Sequence, residues 1–99
     1  MSSGPGGGVS AAPNLARIGA ICEQAVRSAD SPRKWMLGLR IESVEVLYGG
    51  TFVRAGEQVD AIAFDLPVDP VVGARICADA EYLGGPRGGE FRLHDVAPG

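Results

Sequence analysis

Beyond Pro32 the apolar residues recur with a period of two, and this alternation limits the possible folds more than any other feature of the chain. In 39-LRIESVEVLY-48, Leu39 and Ile41 alternate, the phase slips at Glu42-Ser43, and it resumes at Val44, Val46 and Tyr48. Successive strand side chains point to opposite faces, so the slip predicts a bulge or bend. Gly49-Gly50 turns the chain, Thr51–Val53 is a short extended piece, and 54-RAGEQ-58 is a polar loop. In 59-VDAIAFDLP-67, Ile62, Phe64 and Leu66 share one face and Val59, Ala61 and Ala63 the other, which predicts a strand covered on both sides. Pro67, Asp69-Pro70 and Gly73 mark a second turn region. In 74-ARICADAEYL-83, Ala74, Ile76, Ala78, Ala80 and Tyr82 fall on one side, and in 90-EFRLHDV-96, Phe91 and Leu93 point inward. Short alternating runs separated by turns, with 15 glycines and 7 prolines, predict an antiparallel all-β domain.

The period differs upstream. In 14-NLARIGAICEQAVRSADSP-32, Leu15, Ile18, Ile21, Cys22, Ala25, Val26 and Ala29 recur at helical spacing; Asn14 can cap the start, and Ser31-Pro32 stops the run. The spacing predicts one amphipathic helix over 14–31, lying on a larger surface. Residues 1–13, rich in Gly, Ser, Pro and Ala, read as a flexible tail. At 99 residues the chain suits one small domain, which buries roughly 60–68 % of its unfolded surface.

Charge removes several classes of function. The net charge is −3 and the nine Lys and Arg are scattered, so neither nucleic acid nor an anionic membrane is expected as a partner. No run approaches the length of a membrane span, and the N-terminus lacks the basic head and apolar stretch of a secretory signal, which makes a cytoplasmic location the default. Cys22 and Cys77 have no metal-ligand spacing; they are two buried thiols or a disulfide. No metal or cofactor is expected. Catalysis needs a nucleophile, a base and an orienting group. The only histidine, His94, sits on an alternating strand between polar neighbours, and no Ser or Cys has an elbow-like context. No enzyme is expected.

Two loops carry the remaining signal. One is 56-GEQVD-60, with an aspartate at the mouth of a strand; the other is 84-GGPRGG-89. A glycine bend exposes backbone N–H groups and admits a ligand closely, because no Cβ intervenes. A carboxylate beside it supplies two acceptors. Together they suit a ligand with adjacent hydroxyls, namely a sugar.

The stretches 40-RIESVEVLYGG-50, 54-RAGEQVDAIAFDLPV-68 and 82-YLGGPRGGEFRLHDVAPG-99 together resemble the jacalin-related lectins. That family's signature is an I-x-x-V-x-V-x-x-G strand, a G-x-x-x-D loop entering a D-x-I-x-F strand, and a double-glycine loop before an alternating strand. The middle element matches at Gly56, Asp60, Ile62 and Phe64; the loop matches at Gly84, Gly85, Gly88 and Gly89. The resemblance implies a β-prism I of Greek-key antiparallel sheets and metal-independent binding of mannose, glucose or galactose. It also implies a site of Gly56, Gln58, Val59, Asp60, Gly84, Gly85, Arg87 and Gly88. Asp60 would accept from sugar hydroxyls, the N–H groups of Gln58 and Val59 and of the glycine loop would donate, and Arg87 would tune the rim.

Two departures stand out. A helix-like insert precedes the matching region, and the family's third sheet with its second G-x-x-x-D does not occur in 38–99, so the expected prism is incomplete. A fragment, a diverged short form and a module completed by another copy, such as a homo-oligomer, all fit. The alternative function is a protein-interaction or structural β-domain with a vestigial sugar site.

Overall fold

Residues 14–31 do not form a helix. The computed structural model, which describes residues 12–85 and 88–99, is a β structure throughout, with β1 at Leu15–Arg27, β2 at Lys34–Tyr48, β3 at Gln58–Phe64, β4 at Arg75–Gly85 and β5 at Gly88–Pro98. Ala16, Ile18, Ala20 and Cys22 also recur with period two, and all four side chains are buried inside. The segment satisfies both templates. Tertiary pairing decides between them, because β1 is laddered on one edge to β2 and on the other to β4. Asn14, expected as a helix cap, is instead a buried clamp. Its Nδ2 donates to the Tyr82 carbonyl at 3.0 Å and its Oδ1 accepts from the Tyr82 N–H at 2.8 Å, which extends the β1–β4 ladder through a side chain. Of the expected tail, 1–13, residues 1–11 lie outside the described residues.

The strands form one sheet in the order β1-β2-β3-β5-β4, closed into a barrel. The β3–β5 pairing is parallel and the others are antiparallel. One closed sheet is not the three-sheet prism that the motifs imply. The difference comes from β1: read as a covering helix it leaves open edges, but as a strand it joins β2 to β4 and closes the sheet. The phase slip in β2 is a bulge. Gly19 pairs with Ser43 and Ala20 with Ile41, leaving Glu42 as the extra residue. The bulge lets the 15-residue strand bend around the barrel, laddered to β3 through its first half and to β1 along its length.

The core sits inside the barrel. Large side chains come from β1, β2 and β5 (Ile18, Leu37, Leu39, Ile41, Phe91, Leu93) and small ones from β1, β3 and β4 (Ala20, Ala61, Ala63, Ala78, Ala80). Alternating large and small residues fill a narrow barrel without voids. On β3 the consequence is unusual. Ala61 and Ala63 face the core, while Ile62 and Phe64 face outward; Ile62 is 7 % and Phe64 42 % exposed. Both cysteines are free thiols, Cys22 buried and Cys77 half-buried. Burial pushes the Cys22 thiol above its ordinary pKa.

Candidate ligand-binding face

The outward residues of β1, β2, β3 and β5 form rows whose members are cross-strand neighbours. Gln24 pairs with Gly38 and Gly38 with Asp60. Val26 pairs with Met36, Met36 with Ile62, and Ile62 with Arg92 on β5. Lys34 pairs with Phe64. A polar row thus lies beside an apolar row, which lies beside a row with a cation and an aromatic ring.

The polar row lines a shallow depression of ≈ 310 Å³, shared by Gln24, Gly38, Asp60 and Glu90 and bordered by Met36 and Ile62. Glu90 precedes Phe91, the partner of Ala61, so Glu90 and Asp60 enter the parallel pairing side by side. A second depression of ≈ 490 Å³ continues over Glu23 and Gln58. There Gln58 Nε2 donates to Glu23 Oε1 at 3.0 Å, and Arg40 Nε lies 3.5 Å from Glu23 Oε2. Gly38 forms a bare floor between them. A Cβ at that position would lie 3.2 Å from Gln24 Cβ and crowd the Gln24 side chain. The arrangement offers carboxylate and amide groups around an open floor, beside an apolar strip on which Val26 is 44 % and Met36 43 % exposed.

At the other end, the Arg92 guanidinium lies over the Phe64 ring at 5.4 Å. Its buried Nε has no hydrogen-bond partner among the described residues. The β3–β5 pairing stops at Ile62 and Arg92, and beyond it a cleft of ≈ 590 Å³ opens between Phe64, Asp65, Arg92 and His94. His94 Nε2 lies 3.2 Å from Glu81 Oε1.

Most of the other cations are occupied. Carboxylates lie within 4 Å of Arg17 (Asp79), Arg27 (Asp69), Arg33 (Asp65), Arg40 (Glu23) and Arg75 (Glu42). Arg33 grips Asp65 with Nε and Nη2, both at 2.6 Å, and these hydrogen bonds hold the Asp65 carboxyl below the usual aspartate range. Asp79 keeps the Arg17 guanidinium charged in the same way, through its hydrogen bond at 2.9 Å. Among the described residues Lys34, Arg54 and Arg92 have no carboxylate partner, and two of those three are on this face.

The structure brings Gln58, Val59 and Asp60 to the depressions. Gln58 and Val59 lie in the ladder opposite Arg40 and Leu39, and the pairing of β3 with β5 begins only at Ala61. Gly56 stands apart. It occupies a turn at φ +93, its N–H donates to the Ile41 carbonyl at 2.7 Å, and it lines neither depression. Gly84 and Gly85 pair with Gly89 and Gly88 as the base of the β4–β5 hairpin, next to Glu90; Arg87 lies outside the described residues. Gly89 has a packing role, because a Cβ there would fall 2.5 Å from the Tyr82 ring. That ring stacks on Phe52 at 4.8 Å and tilts against Phe91 at 5.0 Å. Sequence reasoning passes over Glu23, Gln24, Gly38, Glu90 and Arg92. The missed signals are the period-two pattern in 16–22 and the bulge that follows it: the register slips at Glu23, between Cys22 and Gln24, and this turns Gln24 outward.

No family model, curated protein or solved structure matches the chain. Among the described residues no cluster of His, Cys, Asp and Glu fits a metal ion, and no helix is long and apolar enough to cross a membrane.

Proposed function

We propose that the chain is a metal-independent carbohydrate-binding domain whose site is the outer face of β1, β2 and β3 next to the β4–β5 hairpin. The observation that carries this reading is the polar row: the Asp60 and Glu90 carboxylates and the Gln24 amide surround the bare Gly38 floor, with an apolar strip alongside. Sugars present hydroxyls at the ring edge and C–H groups on the ring face, and the two rows complement the two in turn. Support also comes from connectivity. A five-stranded Greek-key barrel with this outline belongs to the OB type, in which the β2–β3 face and the β1–β2 and β4–β5 loops take oligosaccharides or oligonucleotides. The carboxylates on the polar row favour the former. The ligand class is the one implied by the jacalin-type motifs, set here on a different barrel.

A shallow site with two or three such hydrogen bonds yields about 4–6 kcal/mol, a millimolar to tens-of-micromolar affinity. The test is an NMR titration with mannose, glucose and galactose at tens of millimolar. Amide shifts are expected at Gln24, Gly38, Asp60 and Glu90. Asp60→Ala should weaken binding roughly tenfold or more, since it removes a charge-assisted hydrogen bond. Silence at every one of these residues for all three sugars overturns the reading. A second reading, a protein-docking surface, is favoured by the outward run of Val26, Met36 and Phe64.

A further inference from the structure

We infer that the ligand is an acidic heteropolysaccharide, in which a neutral sugar unit neighbours one bearing a carboxylate or sulfate, and that Arg92 and Lys34 receive the anionic group. The inference rests on the proposed sugar site and specifies its substrate class.

Among the described residues five cations have a carboxylate within 4 Å, whereas Arg54, Arg92 and Lys34 have none, and the last two project from the same face as the polar row. The Arg92 guanidinium is held over the Phe64 ring at 5.4 Å, and its Nε is buried without a partner. A guanidinium held in this way is pre-organised for an oxyanion, to which it can donate in pairs.

Position then narrows the ligand. Strand geometry sets Arg92 about 8 Å from Asp60, one strand across and two residues along. The span exceeds one ring, so the anionic substituent belongs to a unit next to the one at Asp60. Lys34 lies further along the same direction, beside Phe64. The face thus runs from the Asp60 and Glu90 carboxylates at the hairpin end, over the apolar row Val26–Met36–Ile62, to Arg92 and Lys34; the acids nearest Arg92 are engaged elsewhere, Glu81 across the β4–β5 ladder by His94 at 3.2 Å and Asp65 by Arg33. A chain charged at every unit would lay negative groups over Asp60 and Glu90. That disfavours single-stranded nucleic acid and fits a polymer with alternating charge.

The test compares affinities of the full chain for four probes: N-acetylated chitotetraose (neutral), a hyaluronan tetrasaccharide (carboxylate on alternate units), a keratan sulfate tetrasaccharide sulfated only on its glucosamine units (sulfate on alternate units) and a single-stranded oligothymidylate. At least tenfold tighter binding of one or both acidic tetrasaccharides over chitotetraose is expected, and which of the two is preferred identifies the oxyanion. Arg92→Gln should bring the acidic-to-neutral ratio close to one. Arg92→Lys should restore part of it, and Lys34→Gln should lower it in a chain whose Arg92–Phe64 contact is intact. Equal affinities for the acidic and neutral probes overturn the inference while leaving the sugar site standing. So does a preference that survives both the Arg92 and Lys34 substitutions, or tighter binding of oligothymidylate. If no saccharide binds, the sugar site itself fails and this inference with it.

Discussion

Asn14 shows how one side chain takes the place of a strand residue. Its amide makes both ladder bonds to the Tyr82 backbone and donates a further bond to the Ala12 carbonyl at 2.9 Å. Asn14→Ala leaves the Tyr82 N–H and carbonyl without partners in a half-buried place and should cost about 1–3 kcal/mol in urea denaturation. Asn14→Asp keeps the acceptor but sets a buried carboxylate oxygen against the Ala12 and Tyr82 carbonyls, so at neutral pH it should destabilise at least as much as the alanine variant. The Arg33–Asp65 pair makes a prediction in pH. Arg33 lowers the folded Asp65 pKa from its ordinary value near 3.8, so the pair's contribution is complete above that value. It is lost as the pH falls through the lower folded value. Both side chains are exposed, so salt should blunt the effect. NMR titration should find the Asp65 carboxyl returning to the ordinary range in Arg33→Gln.

At the scale of elements, the legible parts are those where local pattern and tertiary need agree. β4 and β5 bury Ala78, Ala80, Phe91 and Leu93 and pack Ile76 and Tyr82 against them, as their alternation indicates, although Asp79 on the other side of β4 is buried as well; the bulge in β2 lies at the phase slip. β1 fails because Ile18, Ile21, Cys22 and Ala25 fit a helix while Ala16, Ile18, Ala20 and Cys22 fit a strand, and only pairing with β2 and β4 breaks the tie. In the candidate site, Asp60 was legible as a carboxylate at a strand mouth, whereas Gln24 and Glu23 were hidden by the helical reading. The glycine loop divides the same way. Gly89 admits the Tyr82 ring, so Gly89→Ala should disturb the Phe52–Tyr82–Phe91 stack and cost about 1–3 kcal/mol in thermal denaturation. Gly56→Ala meets no atom within 4 Å and should cost only the backbone strain of φ +93, about 1–2 kcal/mol, with the aromatic near-UV CD signal unchanged.

For the whole barrel, β2 and β3 turn part of their apolar content outward, and stability alone does not account for this. The inside of a closed five-stranded sheet is narrow, so β3 gives it alanines, and Ile62 and Phe64 join Met36 and Val26 on the opposite face. If that face exists for a ligand, the two sides of β2 answer differently to substitution. Leu39→Ala opens a cavity in the core and should cost about 2–5 kcal/mol. Met36→Ser removes a side chain already near half exposed and should change stability by less than about 0.5 kcal/mol, while weakening saccharide binding several-fold. Light scattering on the same variant separates the two readings of the face. A wild-type dimer that Met36→Ser converts to a monomer would assign the apolar row to self-association. A monomer in both, with loss of saccharide affinity alone, would assign it to the ring face of a sugar.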